Sequence, residues 1–282
     1  KIAAKKHGSL KIDKDLLDEV WTDRPALVHQ PADVLKDEFN GEATASKLAR
    51  VREQMEKEEA QYHIISTLDD IAWILNVRGN DIPHVPVVLS FLVIGKEDAM
   101  WFVEENALSD AVKEMAAECG ITIRPYEDVY AYAATIPEHS TVLLDKRKVN
   151  YRITNALSET VHIVSKANPS QLMKAIKNEI ELENTRKAHL LDGIAVTKFM
   201  YWLKKNVGKI PMDEVSVSDY LQSLREQMEG YRDISFDTIA GYNANAAMMH
   251  YKAEPDTAAK LEPQGMLLVD SGGHYDTGTT DI

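Results

Sequence analysis

Cysteine is almost missing. Cys119 stands alone in 282 residues, so an intrachain disulfide is excluded and a reducing compartment fits the composition. Long apolar runs are missing too. The longest, residues 85–94, contains Pro86 and Ser90 and is too short to cross a bilayer. Positive charge is scarce: 32 lysines and arginines against 45 aspartates and glutamates leave a net charge of −13. A chain this acidic repels phosphate, which argues against general nucleic-acid binding. There is no glycine-rich phosphate loop, no Gly-x-Ser-x-Gly elbow, no His-Glu-x-x-His motif, no internal repeat and no low-complexity tract. What is present, 44% hydrophobic and 27% charged residues, excludes a wholly disordered chain and suits two domains at this length. The chain starts at Lys1 without a secretory signal pattern and stops at Ile282 inside what reads as a strand, so it is expected to be a piece of a longer protein.

Residues 1–36 read as a connector, with a short helix over residues 11–21 that places Leu16, Leu17 and Val20 on one side before Pro25 and Pro31 keep the chain extended. Residues 37–168 alternate helix and strand signals: helices over 43–60, 67–75, 108–119 and 151–158, strands over 62–66, 85–94, 99–103, 121–124, 141–144 and 161–164. That alternation predicts a layered α/β domain. Asn168-Pro169, a capping residue followed by proline at the first helical position, marks the next boundary. Residues 169–282 then read as a long helical region with Ile176, Ile180, Leu191, Ile194, Ala195, Phe199 and Leu203 in a buried stripe, a helix over 215–228, and strands and turns from Ile234 to the apolar run 266–269.

The last twenty residues carry the chemistry. Asp270 follows the apolar run and Asp281 comes eleven residues later, after Gly278-Thr279-Thr280. A hairpin turn near Tyr275 and Asp276 sets the two aspartates opposite each other, with Cβ atoms about 4.5–5.5 Å apart. Two like charges so placed need a cation between them, and carboxylates suit hard ions such as manganese or magnesium. From spacing alone, an aspartate at a strand end and another in a Gly-Thr-rich turn are more often ordinary loop residues. His250 sits near the end of an expected strand after the small residues 245–247; a lone histidine is more often structural. His274 lies in the turn, and His63, His84, His139, His162 and His189 show no zinc-site spacing. Cys119, at a helix end before Gly120, reads as structural.

At these residues the sequence resembles the pita-bread metallopeptidases, and among them the three-domain Xaa-Pro aminopeptidases (aminopeptidase P). Trp21-Thr22-Asp23-Arg24-Pro25 is similar to that family's connector between its first two domains, and residues 70–81 with Pro86-Val87-Val88 to its middle domain. Residues 235–239 and 245–251 resemble the segment with its first active-site histidine. Leu268-Val269-Asp270-Ser271-Gly272 and Gly278-Thr279-Thr280-Asp281-Ile282 resemble its first two metal-ligand motifs. The resemblance implies a creatinase-like α/β domain followed by the first part of an α+β pita-bread catalytic domain.

It further implies two divalent metal ions, Mn2+ foremost, with Asp270 chelating one and Asp281 bridging both. His250 would be a non-ligand histidine near the scissile bond, and a metal-bridged water or hydroxide would attack the carbonyl before proline. The implied substrates are peptides with an Xaa-Pro N-terminus, with neither nucleic acid nor membrane as partner. The implied location is cytoplasmic. The family often forms homodimers, and the oligomeric state stays open. The family's remaining ligands, one histidine and two glutamates, follow its Asp-Ile-Thr motif, so residues 1–282 alone are expected to be inactive. The competing readings are a prolidase acting on Xaa-Pro dipeptides and a non-catalytic binding module that keeps the fold; retention of both aspartates argues against the latter.

Overall fold

The computed structural model describes residues 5–9, 11, 14 and 16–282. Of the helix expected over residues 11–21, residues 12, 13 and 15 lie outside that set. The described part is α1 (Leu16–Val20), with Leu16, Leu17 and Val20 all exposed. Beyond Pro31 come β1 (Asp33–Val34), α2 (Asp37–Asn40), α3 (Thr44–Lys57), β2 (Tyr62–Ile65), α4 (Leu68–Leu75) and β3 (Val77–Arg78). β1 and β3 pair as a short antiparallel ribbon. Then follow β4 (Ser90–Gly95), β5 (Ala99–Val103), α5 (Asp110–Glu118), β6 (Ile121–Arg124), α6 (Val129–Ala134), β7 (Thr141–Leu144), α7 (Tyr151–Ala156) and β8 (His162–Ser165).

Six of these strands form a mixed sheet in the order β6-β5-β4-β2-β7-β8. The β2–β4 and β4–β5 pairs are antiparallel, while β5–β6, β2–β7 and β7–β8 are parallel with helices in the crossovers. The period of two divides the strand side chains between two cores. Ile65, Leu92, Ile94 and Trp101 pack with Leu48 and Val51 of α3 and Val112 of α5. Ile64, Phe91, Val93 and Phe102 pack with Val129 of α6 and Ile153 of α7 on the other face. The strand expected over 85–94 starts only at Ser90. Pro86 has no N–H for a ladder, and the Asp81 carboxylate takes the Leu89 amide at 2.8 Å, so residues 85–89 turn back toward Asp81.

The second part opens with α8 (Pro169–Ala175), which has Pro169 at its first turn. Ile176 leaves helical geometry. Asn178 and Glu181 then form a reciprocal capping box that starts α9 (Glu179–Asn206). The expected buried stripe is therefore interrupted. Ala195 and Phe199 are buried, but Ile176, Ile180 and Ile194 are exposed, because nothing among the described residues covers that side of the helix. α10 (Glu214–Arg225) packs on α9, and both cover a ribbon of two successive antiparallel sheets, one of β10 (Ile239–Tyr242) and β11 (Leu267–Asp270), the other in the order β13 (Gly278–Thr279), β12 (Gly273–Tyr275), β9 (Tyr231–Ile234). Residues 231–242 run along one edge of residues 267–275, and β13 runs along the other. Val217, Leu221, Phe199 and Ala240 fill the space between helices and ribbon.

Candidate metal centre

The hairpin bearing both aspartates turns at Asp276-Thr277, with Tyr275 paired to Gly278 and His274 to Thr279. Ser271 and Ile282 exchange both backbone hydrogen bonds, at 3.0 and 2.9 Å. Asp281 therefore lies across from Gly272, and the direct opposition of Asp270 and Asp281 expected from the sequence is corrected by two residues. The turn moves because its surroundings hold it: the Asp276 amide bonds Gly230 and its carboxylate pairs with Arg232. Gly272 and Gly273 extend the strand instead of turning. At Gly272 a Cβ would stand 2.0 Å from the Thr280 carbonyl oxygen, so only glycine lets the return strand approach.

A shift of two residues preserves the pleat, so side chains keep their faces. Ser271 and Tyr275 both reach the helices, which puts Asp270 and His274 on the opposite face. Asp281, across from Gly272, shares that face with them. In a regular ladder Asp270 and Asp281 are then diagonal neighbours, about 7–8 Å apart.

The helix side of this strand is fixed by a buried ion pair that sequence reasoning missed. Arg225 of α10 and Asp192 of α9 are both fully buried. Arg225 Nε donates to Asp192 Oδ1 at 2.6 Å, and its Nη2 donates to Asp192 Oδ2 at 3.2 Å and to Ser271 Oγ at 3.0 Å. The Tyr275 hydroxyl donates to Asp192 Oδ1 at 3.0 Å. Burial and the Asp192 charge push the Tyr275 phenol well above its usual range. Residues 33 and 46 positions apart meet here, and the only sequence hint was two charges on otherwise apolar helix faces. Two helices thus grip the residue next to Asp270 and the one at the hairpin tip.

Glu214 is a second unforeseen anchor. Its buried carboxylate accepts from the Tyr242 amide at 2.6 Å, the Ala259 amide at 2.8 Å, the Tyr251 hydroxyl at 2.7 Å and Asn245 Nδ2 at 3.0 Å. Burial alone would raise this carboxyl, but the four donors outweigh it and hold it below the ordinary glutamate value of 4.5. Bonding to Glu214 in turn pushes the Tyr251 phenol up to about 12. Asn245 and Tyr251 bracket His250, so Glu214 ties down both ends of the segment that presents it. His250 is not in a strand, contrary to expectation. It stands exposed in a turn after a short 3-10 helix, with φ +56°, because the chain from Asn243 to Ala247 coils around Glu214 instead of extending. Histidine tolerates that left-handed conformation better than most residues.

Asp270 is half-buried and Asp281 exposed, and neither carboxylate has a hydrogen bond or ion pair among the described residues. Their neighbours Ser271 and Thr280 are committed, the latter accepting the Gly273 amide at 2.9 Å. Free carboxylate oxygens on one face are the donor type hard divalent ions take, so the pair fits a metal in kind. Among the described residues no group of three histidines, cysteines, aspartates or glutamates is placed to hold an ion.

The first sheet unit leans on this same face. His84 places Nδ1 3.1 Å from Asp233 and Nε2 3.4 Å from Asp237, and its carbonyl lies 2.8 Å from His274 Nε2. Asn168 Nδ2 bonds Thr67 and Asp70, and Asn178 Nδ2 donates to the Asn40 carbonyl.

The two-part fold and the carboxylate-bearing hairpin agree with what the chain matches. Residues 23–181 match the creatinase/prolidase N-terminal domain, and the chain belongs to that family. Residues 183–282 match metallopeptidase family M24, so a creatinase-like α/β domain is followed here by pita-bread structure. The chain is 36% identical to a probable Xaa-Pro aminopeptidase P of Neurospora crassa, over 99% of its own length and 43% of that protein. It is 35% identical to Xaa-Pro aminopeptidase 1 of Dictyostelium discoideum, over 100% of its own length and 46% of that protein. The crystal structure of an X-prolyl aminopeptidase from Caenorhabditis elegans, described as a cytosolic enzyme with a di-nuclear active site, superposes with a TM-score of 0.90 at 31% identity, covering 97% of this chain and 46% of that one. The chain thus spans less than half the length of these relatives. No helix among the described residues is long and apolar enough to cross a membrane.

Proposed function

We propose that this chain is the middle domain and first catalytic segment of a cytoplasmic metallo-aminopeptidase that removes the first residue from peptides with proline in second position. The observation that carries the reading is the placement of Asp270 and Asp281 on one face of a braced hairpin, without hydrogen-bond or ion-pair partners among the described residues, in a chain matching family M24 beside Xaa-Pro aminopeptidases. Asp270 and Asp281 would hold two divalent ions, Mn2+ foremost, with Asp281 shared between them. What such ions supply, when bound, is polarisation of the scissile carbonyl and activation of water at neutral pH.

The chain's own residues do the positioning. Arg225 and Asp192 hold Ser271, and so the backbone of Asp270, against movement as charge is bound. Glu214 holds Asn245 and Tyr251, so His250 is offered on a fixed segment from which its ring can donate to the peptide near the scissile bond. Proline has no amide hydrogen and a fixed φ, so a site for this bond recognises shape and carbonyls rather than an N–H. A homodimer is the proposed assembly.

The test is hydrolysis by the full-length protein with manganese, comparing a tripeptide Xaa-Pro-Yaa with the dipeptide Xaa-Pro. Cleavage of the tripeptide with little on the dipeptide is expected. The reverse preference would make it a prolidase, and no hydrolysis of either would leave a binding module.

A further inference from the structure

His274 stands between the two candidate ligands, four residues after Asp270 and seven before Asp281. Its ring is engaged at both nitrogens. Nε2 lies 2.8 Å from the His84 carbonyl oxygen, and Nδ1 lies 2.8 Å from Thr279 Oγ1. A carbonyl oxygen only accepts, so Nε2 carries a proton and donates to it. The neutral ring then offers a lone pair at Nδ1, and the Thr279 hydroxyl donates to that. The His84 carbonyl is itself held in place. His84 takes a left-handed φ of +60°, and its ring lies between Asp237 and Asp233, the residue paired with His274 on the neighbouring strand.

His274 and Thr279 face each other across the hairpin, so their side chains share a face, the one that carries Asp270 and Asp281. The opposite face is tied down by Arg225 on Ser271, Tyr275 on Asp192 and the Gly273 amide on Thr280. On the face of the aspartates, the His274–Thr279 bond is the one side-chain bond between the two arms among the described residues. The backbone around it supplies little stiffness. Gly272 and Gly273 lie in one arm and Gly278 opens the other, and glycine keeps wide conformational freedom and has no side chain to pair. Asp281 comes two residues after Thr279, about 7 Å along the strand. We propose that His274 is a positioning residue for the candidate metal pair. Bound to the first sheet unit at one nitrogen and to the return strand at the other, it sets the spacing of the arms that carry Asp270 and Asp281. The proposal rests on the metallopeptidase reading above.

The test uses the full-length protein. Manganese is titrated by calorimetry into metal-free wild type, His274→Leu, Thr279→Val, the double variant and His274→Gln. For the same proteins kcat and KM are measured on an Xaa-Pro-Yaa tripeptide at saturating manganese, and unfolding temperatures are measured without metal. His274→Leu should weaken manganese binding and lower kcat, each about ten-fold, the lower end for a residue that supports a metal ligand from behind, with KM little changed. Thr279→Val should produce the same two effects. The double variant should lose no more than His274→Leu alone, because the leucine has already removed the bond to Thr279. His274→Gln, whose amide carries one donor and one acceptor, should regain most of both losses. A bond that served only the fold would lower the unfolding temperature and leave manganese affinity and kcat unchanged, and that result overturns the proposal. So does a double variant that shows the two single losses in full. If manganese binds but no Xaa-Pro peptide is cleaved, the peptidase reading fails, and the manganese affinities still decide the role of His274. If the wild type binds no manganese, both fall.

Discussion

Replacing Arg225 by methionine should destabilise the second part of the chain by about 3–5 kcal/mol, the cost of stranding one partner of a buried ion pair. The structure says where the cost falls. Asp192 would stay fully buried with only the Tyr275 hydroxyl at 3.0 Å, having lost two charge-assisted bonds at 2.6 and 3.2 Å. Ser271 Oγ would lose its donor as well. Removing both charges, in Arg225→Met with Asp192→Leu, avoids the stranded carboxylate. Ser271 Oγ is unpartnered in both variants, and what the double variant has in place of the stranded carboxylate is an unpartnered Tyr275 hydroxyl, worth about 1–3 kcal/mol. The double variant should therefore be more stable than Arg225→Met alone by about 2 kcal/mol or more. Urea unfolding of the wild type, both single variants and the double variant measures this, with Trp202, stacked on Tyr220 at 3.8 Å, as a fluorescent reporter in this half. Costs that add to within about 0.5 kcal/mol would show that the pair is not coupled and would refute the reasoning.

Three further outcomes follow from the same geometry. His63 is fully buried and burial holds it down to about 4, so it stays neutral in the fold while the unfolded residue protonates near 6.5; the first sheet unit should lose about 3 kcal/mol as pH falls from 6.5 to 4, a loss that His63→Gln should abolish in a stability–pH profile. Glu214 has a depressed carboxyl, so its support is complete above pH 4.5 and is lost as pH falls through its lower folded value; Glu214→Gln should mimic that loss at neutral pH, seen as faster proteolysis of residues 243–259, and equal cleavage rates would count against the anchor. In the full-length protein, Asp281→Asn should abolish hydrolysis and lower bound metal, whereas His250→Ala should keep metal content and lower turnover about 10²–10⁴-fold; metal loss in His250→Ala, by elemental analysis, would assign that histidine a different role.

Period and chemistry made much of this chain readable in advance. Short continuous apolar runs at 91–94 and 99–103, rich in β-branched and aromatic residues, fit strands buried on both faces, and Asn168-Pro169 fits a helix start. The two aspartates were visible because a carboxylate after an apolar run and another in a Gly-Thr turn, in the family's order, are a local pattern. Tertiary structure alone decided the rest. The register moved by two residues because Gly230 and Arg232, distant in sequence, hold Asp276 in the turn. Ile176, Ile180 and Ile194 keep the helical period yet lie exposed, since periodicity names a face but not what covers it. His250 left its expected strand because a buried carboxylate 36 residues earlier in the chain gathers four donors from around it. The Arg225–Asp192 pair was illegible for the same reason: a buried charge is tolerable only with its partner in place, and nothing local in a sequence says which distant residue that partner is.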